Sequence, residues 1–148
     1  HNSMILNAQK TKAMFITASS RINNKLKSSQ ATQLHLNNQK IDYTDSERLL
    51  GIQVDSNLKW KIQAEKTLKK CNSLLYLLLR MKPFLNTNSR KLFYNSYILP
   101  HLDYCCTVWG NLSDELTNEL YKFHKRAARI ILNKDLNTPS DELFKELR

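Results

Sequence analysis

Residues Leu49–Trp60, LLGIQVDSNLKW, separate two unlike halves of the chain. Leu49 to Val54 is apolar and partly β-branched, the length and character of a short buried strand. Gly51 inside it predicts a bulge or the close approach of another backbone. Asp55, Ser56 and Asn57 follow, side chains that accept from backbone N–H groups and so predict a helix start. Ahead of this junction lie short alternating runs and turns. Behind it lie long periodic segments with one further glycine, Gly110. The pattern predicts an α+β fold: a small antiparallel β-piece over residues 1–55, then a mainly α-helical bundle of three to four helices over residues 56–148.

In the first half, Ala13–Thr17 reads as a strand and Ser19–Gln30 as a polar loop. Gln33–Leu36 and Ile41–Thr44 alternate around Asn37–Lys40, which predicts a hairpin. A β-piece of this size needs helices or more chain to lean on. In the second half, a first helix is predicted from Ser56 to Lys82, stopped by Pro83. Ala64, Leu68, Cys71, Leu75 and Leu78 share one face of it. The run Leu74–Leu79 is apolar all round, which predicts burial on several sides. A second helix is predicted from Ser89 to Thr107 and kinked by Pro100. A third starts at Ser113 with Asp114 and Glu115 in its first turn. A last one starts with Thr138 as cap and Pro139 at its first position.

Charge is the strongest functional signal. The formal net charge is +10, and residues 56–91 hold nine Lys/Arg against the single acid Glu65. A solvated helix face normally mixes signs and carries i,i+4 Glu–Lys pairs. The near-total absence of acids in this run favours a polyanionic partner instead. Lys59, Lys66 and Lys70 are predicted on the face opposite the apolar stripe, with Lys69 and Arg80 beside them. Arg90 and Lys91 extend the run. Lys122, Arg126 and Arg129 share a face of the third helix. That stripe meets phosphates, serves as a nuclear-import patch, or is simply solvated. Tyr94, Tyr97, Tyr104 and Trp109 either stack on bases or form core with polar tips. The three cysteines, Cys71, Cys105 and Cys106, are odd in number and lack a C-x-x-C spacing. They predict reduced thiols and an intracellular protein, nuclear or cytoplasmic. His101 and Cys105 stand four apart, and two ligands without two more do not make a zinc site. No run is long enough to span a bilayer and no signal peptide is visible, so no membrane partner is expected. The chain opens without Met and ends inside a helical pattern, which predicts a piece of a longer protein.

Four stretches resemble non-LTR (LINE-type, jockey-like) retrotransposon reverse transcriptases. Asn7, Lys10 and Thr11 with Met14 and Phe15 resemble the last palm segment, N-x-x-K-[ST]-x-x-M-x-F. Gly51, Asp55, Leu58 and Trp60 resemble the exit from palm to thumb. LFYNSYILPHLDYCCTVWG resembles the thumb pattern L-x-Y-x-S-x-I-x-P-H-L-x-Y-[GC]-x-x-V-W-G, and LYKFHKRAARIIL resembles its continuation. The likeness runs from Asn7 to Leu147 in consistent order. It departs at Gln63, where the family usually has histidine, and at Cys105-Cys106, which replaces a more frequent glycine-containing pair.

The resemblance implies the end of a palm, a primer-grip-like hairpin at Leu50 and Gly51, and a helical thumb that holds an RNA–DNA hybrid. It also implies the upstream fingers and palm of the parent polymerase as partners. Lys10 maps to a lysine that approaches the departing pyrophosphate; read by itself it is a solvated loop lysine. A polymerase needs two metal ions held by carboxylates, Mg2+ in the resembled family. Here the first acid is Asp42, so no catalytic aspartate, no metal site and no cofactor are expected in this chain, and it is expected to be inactive alone. Two other classes stay open: a helical protein-interaction or membrane-surface module, and the product of a decayed element.

Overall fold

In the computed structural model, residues 7–17 and 33–147 are described. The loop expected over Ser19–Gln30 lies outside them. The fold is α+β, with short strand pairs followed by a helical bundle. The chain divides into two compact units, His1–Trp60 and Lys61–Arg148.

The first unit opens on a 3-10 turn, Ala8–Lys10. The Asn7 side chain caps it, accepting from the N–H groups of Gln9 (3.0 Å) and Lys10 (3.3 Å). Strand β1 (Lys12–Ala13) pairs in parallel with β4 (Asp42–Tyr43). The strand expected over Ala13–Thr17 is therefore shorter and shifted. Beyond β1, Phe15 stacks on Tyr43 with ring centroids 4.8 Å apart, and Thr17 N–H donates to the Ser56 carbonyl (3.0 Å). Strands β2 (His35–Leu36) and β3 (Gln39–Lys40) form an antiparallel hairpin. Its turn residues, Asn37 and Asn38, both take positive φ, 50° and 61°, as a two-residue hairpin turn requires.

Strands β5 (Ser46–Leu49) and β6 (Ile52–Asp55) form the longest ladder, Ser46 opposite Asp55 and Leu49 opposite Ile52. The run Leu49–Val54 is thus not one strand. The chain reverses at Leu50 and Gly51, with φ 48° and 90°. Gly51 is a turn residue, not a bulge. After β6 the Asp55 carboxylate accepts from the N–H groups of Asn57 (3.1 Å), Lys59 (3.1 Å) and Trp60 (2.8 Å). Leu58 and Trp60 hold left-handed conformations, φ 52° and 59°. This loop around one carboxylate delays the helix expected from Ser56. Among the described residues of this unit, Ile41, Ile52 and Trp60 are the buried apolar side chains.

In the second unit, α1 (Lys61–Met81) buries Ala64, Leu68, Cys71, Leu75 and Leu78, the expected stripe. A 3-10 turn with Pro83 ends it. Next comes α2 (Thr87–Phe93), capped by Asn86, whose side chain accepts from Ser89 N–H (2.8 Å). The helix expected over Ser89–Thr107 is broken into pieces: α2, a π turn over Tyr94–Ile98, α3 (Leu99–Asp103) and α4 (Cys106–Trp109). In an α-helix, Pro100 offers no N–H and its ring strikes the carbonyl four residues back. The π turn widens the backbone just ahead of it, and Leu99 N–H reaches the Tyr94 carbonyl. Ser113 caps α5 (Asp114–Leu132), which ends at left-handed Asn133. The last helix, α6 (Ser140–Leu147), starts one residue later than a Thr138 cap would place it. The core joins Leu68, Cys71, Leu75 and Leu78 of α1 to Ile98, Leu102 and the α5 residues Phe123, Ala127, Ile130 and Ile131. Among the described residues, no helix is long and apolar enough to cross a membrane.

Candidate nucleic-acid interface

The face of α1 opposite its buried stripe is cationic. Lys66, Lys69, Lys70 and Arg80 recur on it at helical spacing and are exposed. Glu65, the acid of this stretch, lies beside it and meets Lys61 across 3.8 Å. Two large side chains interleave with the cations, Tyr76 at 62% exposure and Leu77 at 45%, with Leu79 at 44% on the flank. Burial of Leu74–Leu79 on several sides was expected; one side alone is buried, because the bundle packs against the Leu75 and Leu78 face. Cations for phosphates beside an aromatic ring and aliphatic surface make a surface suited to nucleic acid. Lys59 is exposed but stands ahead of α1, so it does not share that face.

Arg90 does not belong to the interface. It is only 6% exposed. Its guanidinium donates to the Ile130 carbonyl (2.9 Å), the Thr87 hydroxyl (3.1 Å) and the Asn86 carbonyl (3.4 Å). A helix C-terminus carries unpaired carbonyls and a negative dipole end, which suit a buried cation. Lys91 is half-buried, with Nζ 2.7 Å from the Leu147 carbonyl. On α5, Lys122 and Arg126 are exposed, whereas Arg129 turns to the following loop and donates to the Thr138 carbonyl (3.1 Å). The exposed cations of both stripes lie outside the core that α1 and α5 share.

Leu50 is 84% exposed and Leu49 64% at the tip of the β5–β6 hairpin. A leucine with φ 48° is strained, and exposing it forgoes its burial. The two-residue turn between β5 and β6 requires that φ, as the turn at Asn37 and Asn38 does. Lys10 is exposed on the Asn7-capped turn. The motif around it is explained locally: Asn7 caps the turn, and the Thr11 hydroxyl donates to the Asn7 carbonyl (2.8 Å).

The aromatic residues split. Trp109 is buried with its indole N–H on the Tyr104 carbonyl (2.8 Å), and Tyr94 shares a 3.2 Å hydrogen bond with His124 Nδ1. These two are core with polar tips. Tyr97 and Tyr104 are exposed. Burial pushes the Tyr94 hydroxyl up to about 12 and the Cys71 thiol up to about 11. Neither ionises near neutral pH, so Cys71 is packing. All three cysteines are free thiols. Sequence reasoning missed the tethering of Arg90 and the Tyr94–His124 pair. Partners 40 and 30 residues away leave no local signal. Among the described residues, no group of three or more His, Cys, Asp or Glu is placed to hold a metal ion. No protein-family model, no curated protein and no solved structure matches the chain.

Proposed function

We propose that this chain is the palm end and thumb of a LINE-type reverse transcriptase, and that its work is to hold an RNA–DNA hybrid rather than to make bonds. One observation carries the reading: the exposed face of α1 combines Lys66, Lys69, Lys70 and Arg80 with Tyr76 and Leu77. The exposed tip at Leu50 and Gly51 supports it, as a hairpin end presented at the surface. Phosphate contacts of this kind position a duplex without reading its sequence. The Mg2+ ions such a polymerase uses find no carboxylate cluster among the described residues, and no bond-making step is assigned to this chain.

The test is fluorescence anisotropy of a labelled RNA–DNA hybrid across a salt series. If the four cations each engage a phosphate, log K falls against log salt with a slope of about −3 to −4. The Lys66/Lys69/Lys70/Arg80→Glu variant loses that binding and its slope. Equal weak binding by both proteins overturns the reading. The exposed apolar side chains on the same helix, Leu77 and Leu79, favour a second reading, a protein-interaction surface. That result would point to it.

A further inference from the structure

The helices α2, α5 and α6, with the π turn, line a half-open pocket of about 180 Å3. Its apolar walls are Ala127, Ala128 and Ile131 of α5 with Phe144 and Leu147 of α6. Two consecutive buried alanines leave room that larger side chains would fill. The Tyr121 ring packs on Phe144 with centroids 5.9 Å apart and steadies that wall. An engineered cavity of about 150 Å3 takes up benzene, so this one admits a single ring-sized body. It is smaller than the roughly 300 Å3 at which drug-sized pockets begin.

The polar lining fixes the charge of the occupant. Lys91, Tyr94, Asn95 and His124 line the space, and the Asn95 amide is neutral. Burial holds the Tyr94 hydroxyl protonated and pushes His124 below its ordinary range. Lys91 is left as the charged group. Its ammonium has three donors, and Nζ bonds the carbonyl of Leu147, itself a lining residue. Among the described residues, no carboxylate pairs with it. A cation at the rim of a small apolar cavity selects an anionic head on an apolar body.

We propose that this cavity binds a small monocarboxylate with a ring-sized apolar body. The carboxylate meets Lys91 Nζ, and the body lies against Ala127, Ala128 and Phe144. The site stands apart from the nucleic-acid reading, since it uses none of the cations on α1.

The test is methyl NMR of the 148-residue chain titrated with sodium benzoate, benzyl alcohol and benzylamine. Benzoate shifts the Ala127 and Ala128 methyl signals saturably in the millimolar range. Benzyl alcohol binds about fivefold more weakly, and benzylamine more weakly still. Lys91→Met brings benzoate down to the level of benzyl alcohol and leaves benzyl alcohol unchanged. Ala128→Val weakens both by filling the space. The probe comparison on the unmodified chain needs no variant to fold. Absence of saturable shifts at those methyls with every probe overturns the site. Benzoate binding no tighter than benzyl alcohol, or unchanged in Lys91→Met, overturns the acid preference.

Discussion

Cys105 holds φ 52° and ψ 29° between α3 and α4, with no capping hydrogen bond from its side chain. A side chain in this left-handed region costs roughly 1–2 kcal/mol, which glycine avoids. Glycine gives back roughly 0.5–1 kcal/mol through the freer unfolded chain. Cys105→Gly is therefore expected to raise stability by about 0.5–1 kcal/mol, read as a higher urea midpoint with unchanged slope. A lower midpoint would show that the thiol packs usefully there. The same geometry gives a physical reason for the glycine-containing pair that the resembled thumb pattern carries at this place. Five residues on, a Cβ at Gly110 would run into the Cys106 carbonyl oxygen, so the Trp109-Gly110 step also has a steric cause. Arg90 is the second residue whose role the fold decides. Arg90→Met keeps the stem and the backbone bond to the Asn86 carbonyl (3.0 Å) but strands the Ile130 carbonyl and removes the donor to the Thr87 hydroxyl, and is expected to cost about 1–3 kcal/mol of stability. Hybrid affinity of the folded variant stays unchanged, because the guanidinium never reached solvent. A loss of affinity at full stability would put Arg90 back on the surface.

At the scale of elements, what could be read from sequence was what depends on near neighbours. The stripe Leu68, Cys71, Leu75 and Leu78 repeats at helical spacing, and α1 buries it. Ser113 followed by Asp114 and Glu115 reads as a cap, and it caps α5. The Leu50-Gly51 reversal did not show, because leucine is not a turn former and the flanking apolar residues ran on as one strand. The π turn did not show, because Pro100 announces a disturbance but not how the backbone absorbs it. Of the interface, Lys66, Lys69, Lys70 and Arg80 were legible from charge and period, while Arg90 was not. Its burial depends on the far end of another helix. The packing of the π turn on α5 also builds in a pH dependence. His124 faces Tyr94 across it, with burial lowering its pKa and the more distant Asp103 carboxylate partly opposing that. The folded state resists a proton that the unfolded chain accepts near 6.5, the ordinary value. Its stability is full above that pH and falls as pH drops below it. The loss falls in the interval between about pH 7.5 and 5.5. Urea midpoints for the natural chain are expected to fall further over this interval than those of His124→Gln. Equal falls would mean that His124 takes its proton in place.

At the scale of the whole chain, the two units differ in what they can sustain alone. His1–Trp60 holds three two-stranded pairings and a few buried apolar side chains among its described residues. Isolated two-stranded hairpins are marginal in water. Lys61–Arg148 has the continuous core that joins α1 to α5 and carries all four cations of the α1 face. The second unit, expressed alone, is therefore expected to unfold in one cooperative urea transition and to keep its helical circular dichroism. The first, expressed alone, gives no cooperative transition. The separation also apportions the proposed binding. If α1 supplies the phosphate contacts, residues 61–148 retain the steep salt dependence, because that slope counts phosphates neutralised and not surface buried. The hairpin tip at Leu49 and Leu50 is neutral. Its removal with the first unit lowers affinity by a factor that stays the same at every salt concentration. Parallel lines for the full chain and the second unit, in a plot of log K against log salt, are the expected outcome. A slope that flattens when residues 1–60 are removed would move the phosphate contacts to the first unit, to Lys10, Lys12 or Lys59, and displace α1 as the face that holds the duplex.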